Sequence, residues 1–431
     1  MGLASLVERA VGGALPVRLE VYDGSRAGPP DAPATVVIRR PEAFTRLLTR
    51  PGELGLARAY VAGDVDLEGD LFALLESLDD LELRVDLRAI PPILRALGPG
   101  ALRPLPPPPE EARLSGRVHS KSRDRRAVTH HYDVSNEFYR LVLGPTLTYS
   151  CAVFSSPEDS LEVAQTNKYD LICRKLGLQA GQRLLDVGCG WGGMLLHAAG
   201  RYGVSGVGVT LSREQEELAT KRVAEAGLAE RIDIRLQDYR DVTDGPFDAI
   251  SSIGMFEHVG RSRMEAYMRR LHDLLRPEGR LLNHAISRPG YTQPDTTRGR
   301  AVALGRRVLT AAGSRFTSRI DSDFMQRYVF PDGELHEVGV VVSMLNETGF
   351  EVRHVENLRE HYPLTLRRWV ANLEAHWDEA VELVGAGRAR VWRLYMAASA
   401  VNFERGNIEI HQVLAVRPEG GRSGMPLRPS F

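Results

Sequence analysis

Hydrophobic and polar positions change rhythm along this chain. From residue 161 onward, short apolar runs alternate with longer stretches in which apolar residues recur every three or four positions. The first rhythm suits a strand buried on both faces, and the second lays one apolar stripe along a helix. Strands are predicted at 183–187, 206–209, 232–236, 249–253 and 280–285, with helices at 194–202, 213–225 and 263–275 between them. Such alternation implies βαβ units and a parallel sheet. Late strands at 351–357 and 408–416 complete that sheet, with helical stretches 364–384 and 389–405 lying between the two.

The first hundred residues are patterned differently and read as a small α+β unit. Residues 17–22 alternate like a strand that Asp23-Gly24 ends as a turn, and residues 34–39 form a second strand. Pro41 opens a helix through Thr49, since proline fits the first helical turn. Helices at 56–62 and 71–83 flank a short strand at 65–69. Residues 104–109 then hold five prolines in six positions. Such a run is extended and cannot join a packed helix. The predicted organisation is therefore an N-terminal unit at 1–103, a proline-rich and basic linker at 104–126, and a larger domain at 127–431.

Composition narrows the class only a little. The chain has 431 residues, 43% hydrophobic and 26% charged, which is ordinary for a globular protein. A net charge of -1 gives no global reason to expect nucleic acid. Three cysteines suit a reducing cytoplasm better than a disulfide framework. No apolar run approaches the roughly 18 residues of a spanning helix. The first residues carry Glu8 and Arg9 and no basic leader, so a signal peptide is not expected. Leu6 stands where myristoylation at Gly2 would call for Ser or Thr. Any membrane contact is thus expected to be peripheral.

Local charge is less even. Residues 113–126 carry Arg113, Arg117, Lys121, Arg123, Arg125 and Arg126 against the single acid Asp124. An insertion at 290–325 breaks the helix–strand alternation and places Arg298, Arg300, Arg306, Arg307, Arg315 and Arg319 among apolar residues. For 113–126 the readings are a solvated helix face and contact with anionic phospholipid head groups. For 290–325 they are a polar, mobile insertion and a membrane-surface or substrate-gating element.

The chemistry begins where the first predicted parallel strand ends. There the chain runs Leu184-Leu185-Asp186-Val187-Gly188-Cys189-Gly190-Trp191-Gly192-Gly193. Glycines let backbone approach a ligand closely, and open α/β sheets bind ligands at the carboxyl ends of their strands. Dinucleotide folds use a related loop for a pyrophosphate. Here an acid, Asp186, lies two residues before the first glycine. That favours S-adenosylmethionine (SAM), which carries a sulfonium and an ammonium. The second strand ends in Thr210-Leu211-Ser212 with Gln215 following, and no acid awaits a dinucleotide ribose. Thr210 and Gln215 are candidate polar contacts, although Ser212 and Gln215 also read as a helix capping box. Gln237, Asp238 and Tyr239 follow the third strand, with Asp238 placed for an adenine amino group.

These residues, taken with others, carry a family resemblance over roughly 115–416. The added motifs are His130-His131-Tyr132-Asp133-Val134-Ser135-Asn136, Thr148-Tyr149-Ser150-Cys151, Phe256-Glu257-His258-Val259-Gly260 and His284-Ala285-Ile286. The chain resembles the cyclopropane fatty acid synthases and their mycolic acid relatives, including methylene-forming members. The resemblance implies a Rossmann-like class I SAM methyltransferase domain in an α/β chain, preceded by a smaller N-terminal α+β lipid-binding domain. It implies methyl transfer from SAM to the cis double bond of an unsaturated acyl chain. The N-terminal unit favours a phospholipid over a mycolic substrate.

An isolated alkene has no proton to surrender beforehand, so a site can only align it with the methyl donor and exclude water. The cation that follows must lose one proton. In the family the base is bound bicarbonate, and the resemblance carries its ligands onto Cys151, Glu257, His284, Ile286 and Tyr362. It also adds Tyr149, Ser150, Asp186, Gly188, Gly190, Gly192, Thr210, Leu211, Gln215, Gln237, Asp238 and Tyr239 as SAM contacts, and it implies no metal. Plainer roles remain open: a small buried hydrophobe for Cys151, a structural salt bridge for Glu257 and a satisfied core histidine for His284. Proton loss from the new methyl closes a cyclopropane. The alternative outcome is a methylene branch that a partner reductase could saturate. The implied partners are an oleoyl-type phospholipid and the inner membrane surface, with room for a homodimer and with no nucleic acid. The rival readings are a small-molecule methyltransferase and a non-catalytic lipid-binding protein. A nucleic-acid methyltransferase would need an Asn/Asp-Pro-Pro-aromatic loop where this chain has Ser252-Ile253-Gly254-Met255-Phe256.

Overall fold

The computed structural model describes residues 2–13, 15–79, 86–112, 120, 123–124, 135–290 and 323–431. The motif residues His130–Val134, most of the basic segment 113–126 and the insertion from 291 to 322 lie outside the described residues. The described residues fall into two compact units. The first draws on Met1–Arg113, Tyr291–Val329 and Trp377–Asn402, and the second on Leu114–Gly290, Phe330–His376 and Phe403–Phe431.

In the first unit, strands β1 (Arg18–Val21), β2 (Arg26–Ala27), β3 (Ala34–Ile38) and β4 (Val65–Gly69) form a sheet in the order β2-β1-β3-β4. Helices α1 (Leu3–Ala10), α2 (Glu42–Thr49), α3 (Glu53–Val61), α4 (Leu71–Asp79) and α5 (Ile90–Leu97) accompany it. Leu19, Val21 and Ile38 of the sheet pack with Leu3, Leu6, Phe44 and Ile93. The sequence reading missed α1, α5 and the two-residue β2. Two prolines stand in the first turn of α5, where proline is tolerated. Arg390 pairs with Asp66 at 3.6 Å, which ties residues 377–402 into this unit.

The second unit is a seven-stranded sheet in the order β10-β11-β9-β8-β5-β6-β7. Its strands are β5 (Arg183–Val187), β6 (Ser205–Thr210), β7 (Ile232–Leu236), β8 (Phe247–Ile253), β9 (Leu275–Ser287), β10 (Glu351–Asn357) and β11 (Glu409–Val416). Strands β5 to β9 pair in parallel, and β11 is antiparallel to both β9 and β10. Chain order reverses at β5, with β6 on one side and β8 on the other, so the crevice for a ligand opens there. Among the described residues no helix is long and apolar enough to cross a membrane.

The helices of this unit are α6 (Asn136–Leu143), α7 (Leu161–Leu176), α8 (Gly193–Tyr202), α9 (Arg213–Glu225), α10 (Met264–Leu274), α11 (Val338–Glu347) and α12 (His361–Ala375). The alternation predicted from the sequence is present, with differences at the margins. Strand β9 begins at Leu275 rather than at 280 because Pro277-Glu278-Gly279 joins the ladder instead of breaking it. Glu278 N–H donates to Arg417 O at 2.7 Å, and Arg417 N–H donates to Gly279 O at 2.9 Å. Helix α11 holds the β-branched run Val340-Val341-Val342, which disfavours helix locally. Burial of Val341 and Leu345 against the sheet core decides for helix.

Candidate active site

A cavity opens at the carboxyl ends of β5, β6 and β8. Tyr149, Ser150, Asp186, Gly188, Gly190, Thr210, Leu211, Gln215, Gln237, Asp238 and Tyr239 all line it, together with Trp191, Met255 and His258. Of the cofactor contacts expected from the sequence, Gly192 alone is not on the wall. It caps the start of α8 instead. Gly188 turns the chain with φ +77, and a Cβ there would press on the Met255 side chain at 3.3 Å. Only glycine adopts that backbone freely.

Asp186 ends β5 inside the core, and its Oδ1 accepts a 2.7 Å bond from Ser251 Oγ. Burial raises its pKa to about 6, against the pull of Ser251 and Lys168. Past β6, Thr210 Oγ1 donates to Gln215 Oε1 at 2.7 Å and accepts from Ser212 N–H at 3.2 Å. Ser212 Oγ caps α9 by accepting from Gln215 N–H at 3.3 Å. The cap and the cavity wall are therefore one structure. Asp238 faces the cavity with both carboxylate oxygens bonded by Arg240, at 2.8 and 2.6 Å. Arg240 also reaches Asp124 at 3.0 Å, on the opposite wall.

The wall from Thr148 to Ser150 is held by one face of α7. Gln165 Nε2 donates to Thr148 O at 3.3 Å and to Ser150 O at 3.0 Å. One turn on, Lys168 Nζ donates to Ser150 Oγ at 2.7 Å and sits 4.4 Å above the Tyr169 ring. Lys168 is wholly buried. Burial lowers its pKa to about 7, although the neighbouring Cys151 and Asp186 oppose this. The sequence reading missed Lys168. A lysine four residues from Ala164 and four from Ile172, on the buried stripe of a helix, was the available signal.

The five expected catalytic residues do not line this cavity. Glu257 follows β8 in a short turn, and its Oε1 accepts a 2.7 Å bond from Ile286 N–H. The same loop is tied to β9 by Gly254 N–H, which donates to His284 O at 2.9 Å. Glu257 Oε2 is buried without a hydrogen-bond partner, and burial raises this carboxyl to about 7. His284 is wholly buried two residues before Ile286, with its Nε2 also unpartnered. Burial, then the charges of Lys168, Lys175 and His411, hold its pKa well below the usual histidine value. Cys151 Sγ lies 3.3 Å from Ala152 O, and burial pushes its thiol up, so it is no nucleophile. Tyr362 joins through rings: it lies 6.1 Å from Trp369, which lies 5.3 Å from Tyr149 on the cavity wall.

Glu257 and Ile286 are thus brought into direct contact, and His284 shares strand β9 with Ile286. Cys151 and His284 both feel the Lys168 charge. Two buried polar atoms at one strand–loop junction, unpartnered among the described residues, fit a small ligand that both donates and accepts. Among the described residues no cluster of His, Cys, Asp and Glu could hold a metal ion.

The family model described as mycolic acid cyclopropane synthetase matches residues 119–413. A probable fatty acid methyltransferase of Mycobacterium tuberculosis is 46% identical over 430 residues, covering 96% of this chain and 94% of its own. The cyclopropane-fatty-acyl-phospholipid synthase of Escherichia coli is 33% identical over 391 residues, covering 90% and 88%. The crystal structure of a mycolic acid cyclopropane synthase complexed with SAH and CTAB superposes with a TM-score of 0.59 at 34% identity, covering 68% of this chain and 98% of its own. On its fold, its glycine-loop cavity and the match across most of its length, the chain belongs to the mycolic acid cyclopropane synthetase family of SAM-dependent methyltransferases.

Proposed function

We propose that this protein transfers a methyl group from SAM to the cis double bond of an unsaturated phospholipid acyl chain, with proton loss to bicarbonate held behind the cofactor cavity. The likeness to a fatty acid methyltransferase and to a fatty-acyl-phospholipid synthase supports the substrate class. One observation carries the mechanism: Glu257 Oε2 and His284 Nε2 are buried, adjacent to one strand, and without partners. A buried polar group left unpaired costs about 1–3 kcal/mol, so two of them at one junction, beside residues the family resemblance points to, support a ligand there.

SAM, when bound, supplies an electrophilic methyl on its sulfonium. Asp186 offers a carboxylate near the glycine loop, and Thr210, Gln215 and Asp238 line the rest of the wall. The alkene π electrons form the new carbon–carbon bond as the sulfur–carbon bond breaks, leaving a cation on the neighbouring acyl carbon. Cys151, held as a thiol, and His284, crowded by two lysines, do not trap that cation. Bicarbonate, when bound, supplies the base that takes the proton. Glu257, His284, the Ile286 main chain, Cys151 and Tyr362 are the residues that would hold it. Loss from the new methyl with ring closure gives a cyclopropane; if a hydride first shifts from the methyl-bearing carbon to the cation, loss from that same methyl gives a methylene branch for a partner reductase.

The same reading makes the N-terminal unit a lipid-binding domain and the protein a peripheral one on the inner membrane face. Purified protein incubated with SAM and vesicles of oleoyl phospholipid should yield acyl chains heavier by one CH₂. Proton NMR then separates ring protons from vinylidene protons and names the product. No gain with any unsaturated phospholipid would sink the proposal.

A further inference from the structure

Behind His284, three side chains form a row across the sheet. His284 on β9 is the cross-strand partner of Gln412 on β11, and Gln412 is the partner of Glu356 on β10. Lys175, in the last turn of α7, reaches down onto this row. Its Nζ donates to Gln412 Oε1 at 2.7 Å and also bonds the Glu356 carboxylate. Lys175, Gln412 and His284 are all completely buried.

The chemistry of the donors fixes the rest. A lysine ammonium has no acceptor, so the atom of Gln412 that faces it must be the amide oxygen. The amide nitrogen then faces His284 Nδ1, at 3.0 Å. That nitrogen can only donate, so Nδ1 accepts and the imidazole proton resides on Nε2. Nε2 is the atom buried without a partner.

We infer that Lys175 and Gln412 are positioning residues that hold His284 in its Nε2–H tautomer, so that it presents a fixed N–H donor to the anion in the catalytic site. The assignment of an anion rests on the function proposed above, whereas the tautomer does not. The groups around the ring agree with a donor that stays neutral. Lys168 and Lys175 approach it from α7, and His411 stands one position from Gln412 on β11. Nearby positive charge disfavours an imidazolium. A neutral ring with its proton on Nε2 donates without carrying charge toward a developing cation.

The test uses the full-length protein with ¹⁵N-labelled histidine, whose ring nitrogen shifts distinguish the tautomers. Comparison with His284→Asn assigns the resonance. The wild type should show the Nε2–H pattern. Gln412→Glu places an acceptor against Nδ1, so the proton should move to Nδ1. In that variant kcat on oleoyl phospholipid vesicles should fall about 10- to 100-fold, the worth of one hydrogen bond to a charged group, with KM for SAM unchanged. Lys175→Met frees the amide to turn and should give a mixed pattern, whereas Lys175→Arg, again a pure donor, should restore the single one. If Gln412→Glu does not fold by circular dichroism, Gln412→Leu carries the same test, since it removes the amide that selects the tautomer. An Nδ1–H pattern in the wild type, or wild-type kcat with an unmoved tautomer in the variants, overturns the inference. Absence of turnover by the wild type would instead overturn the proposed function, and the tautomer measurement would still decide this one.

Discussion

Lys168 Nζ donates a 2.7 Å hydrogen bond to Ser150 Oγ, and neither side chain has appreciable contact with solvent. Ser150 lies on the cofactor cavity and Cys151, beside it, lies on the hidden side. The lysine therefore stands where the two halves of the site meet, facing Asp186 in one and Cys151 and His284 in the other. Burying an ammonium with so few partners is costly, so its retention points to use.

Lys168→Met keeps the aliphatic stem and removes the charge. SAH binding, measured by calorimetry, should weaken about 3- to 10-fold, the worth of one buried hydrogen bond. Stability should also change its pH dependence. The folded-state pKa is lowered from 10.5 to about 7, so between those values the unfolded chain binds more protons than the native one. Wild-type stability must then gain with pH across that window, by up to about 1.4 kcal/mol per unit. The variant should lack this gain in denaturant titrations at pH 7 and pH 9.

Glu257→Gln should stabilise the protein while abolishing turnover. The Glu257 carboxyl is raised from 4.5 to about 7, so the native state binds more protons than the unfolded chain between those values. Stability from this group is thus present at low pH and is lost as pH rises through that window. At about 1.4 kcal/mol per unit the loss reaches roughly 3 kcal/mol above neutrality. The variant, which cannot ionise, should melt higher than the wild type at pH 8 and match it at pH 4. Function held at the expense of stability is common where a site keeps an unpaired polar group.

Much of this was readable in the chain, and the boundary of legibility has a physical cause. Strands β5 and β7 were placed to the residue, β5 because a buried parallel strand reads as a short apolar run and β7 because the edge strand Ile232-Asp233-Ile234 alternates apolar and polar. The glycine loop was legible because its geometry is local. Lys175, Gln412 and the tautomer of His284 were not. Their contacts join residues 237 and 128 positions apart, and no periodicity reports which residues share a row across a sheet. Lys168 fell between these cases: the change of rhythm at residue 161 was legible, but its helix was not placed and the reason for its charge lies on other elements.

Asp186→Asn should separate cofactor binding from catalysis by pH. The carboxyl of Asp186 is raised to about 6, so protonation as pH falls through 6 removes the acceptor facing the cofactor site. Wild-type affinity for SAH should therefore fall between pH 7 and pH 5. Asp186→Asn should bind about 10- to 100-fold more weakly at pH 7, a charge-assisted bond being worth about 1.5–3 kcal/mol. Its affinity should be flat over the same range. A pH-independent wild type would remove Asp186 as the group that meets the cofactor's cation.

Gly193→Ala tests how tightly the cofactor loop is packed on α7. Gly193 opens α8, where alanine would ordinarily favour the helix by up to about 1 kcal/mol. Here a Cβ would lie 2.4 Å from Tyr169 Oη and 3.0 Å from Cζ, closer than any real contact allows. Tyr169 shares a 2.9 Å hydrogen bond with Thr148 Oγ1, so displacing it disturbs the wall that carries Ser150. Overpacking of this kind costs about 1–3 kcal/mol, and the net change should be destabilising, with SAH affinity reduced alongside. Tyr169→Phe removes the hydroxyl that clashes most. The double variant should accordingly recover part of the stability lost by Gly193→Ala, a coupling of about 0.5–3 kcal/mol in a double-mutant cycle read by denaturant unfolding. Strict additivity of the two changes would mean that the loop moves away from α7 rather than pressing on it.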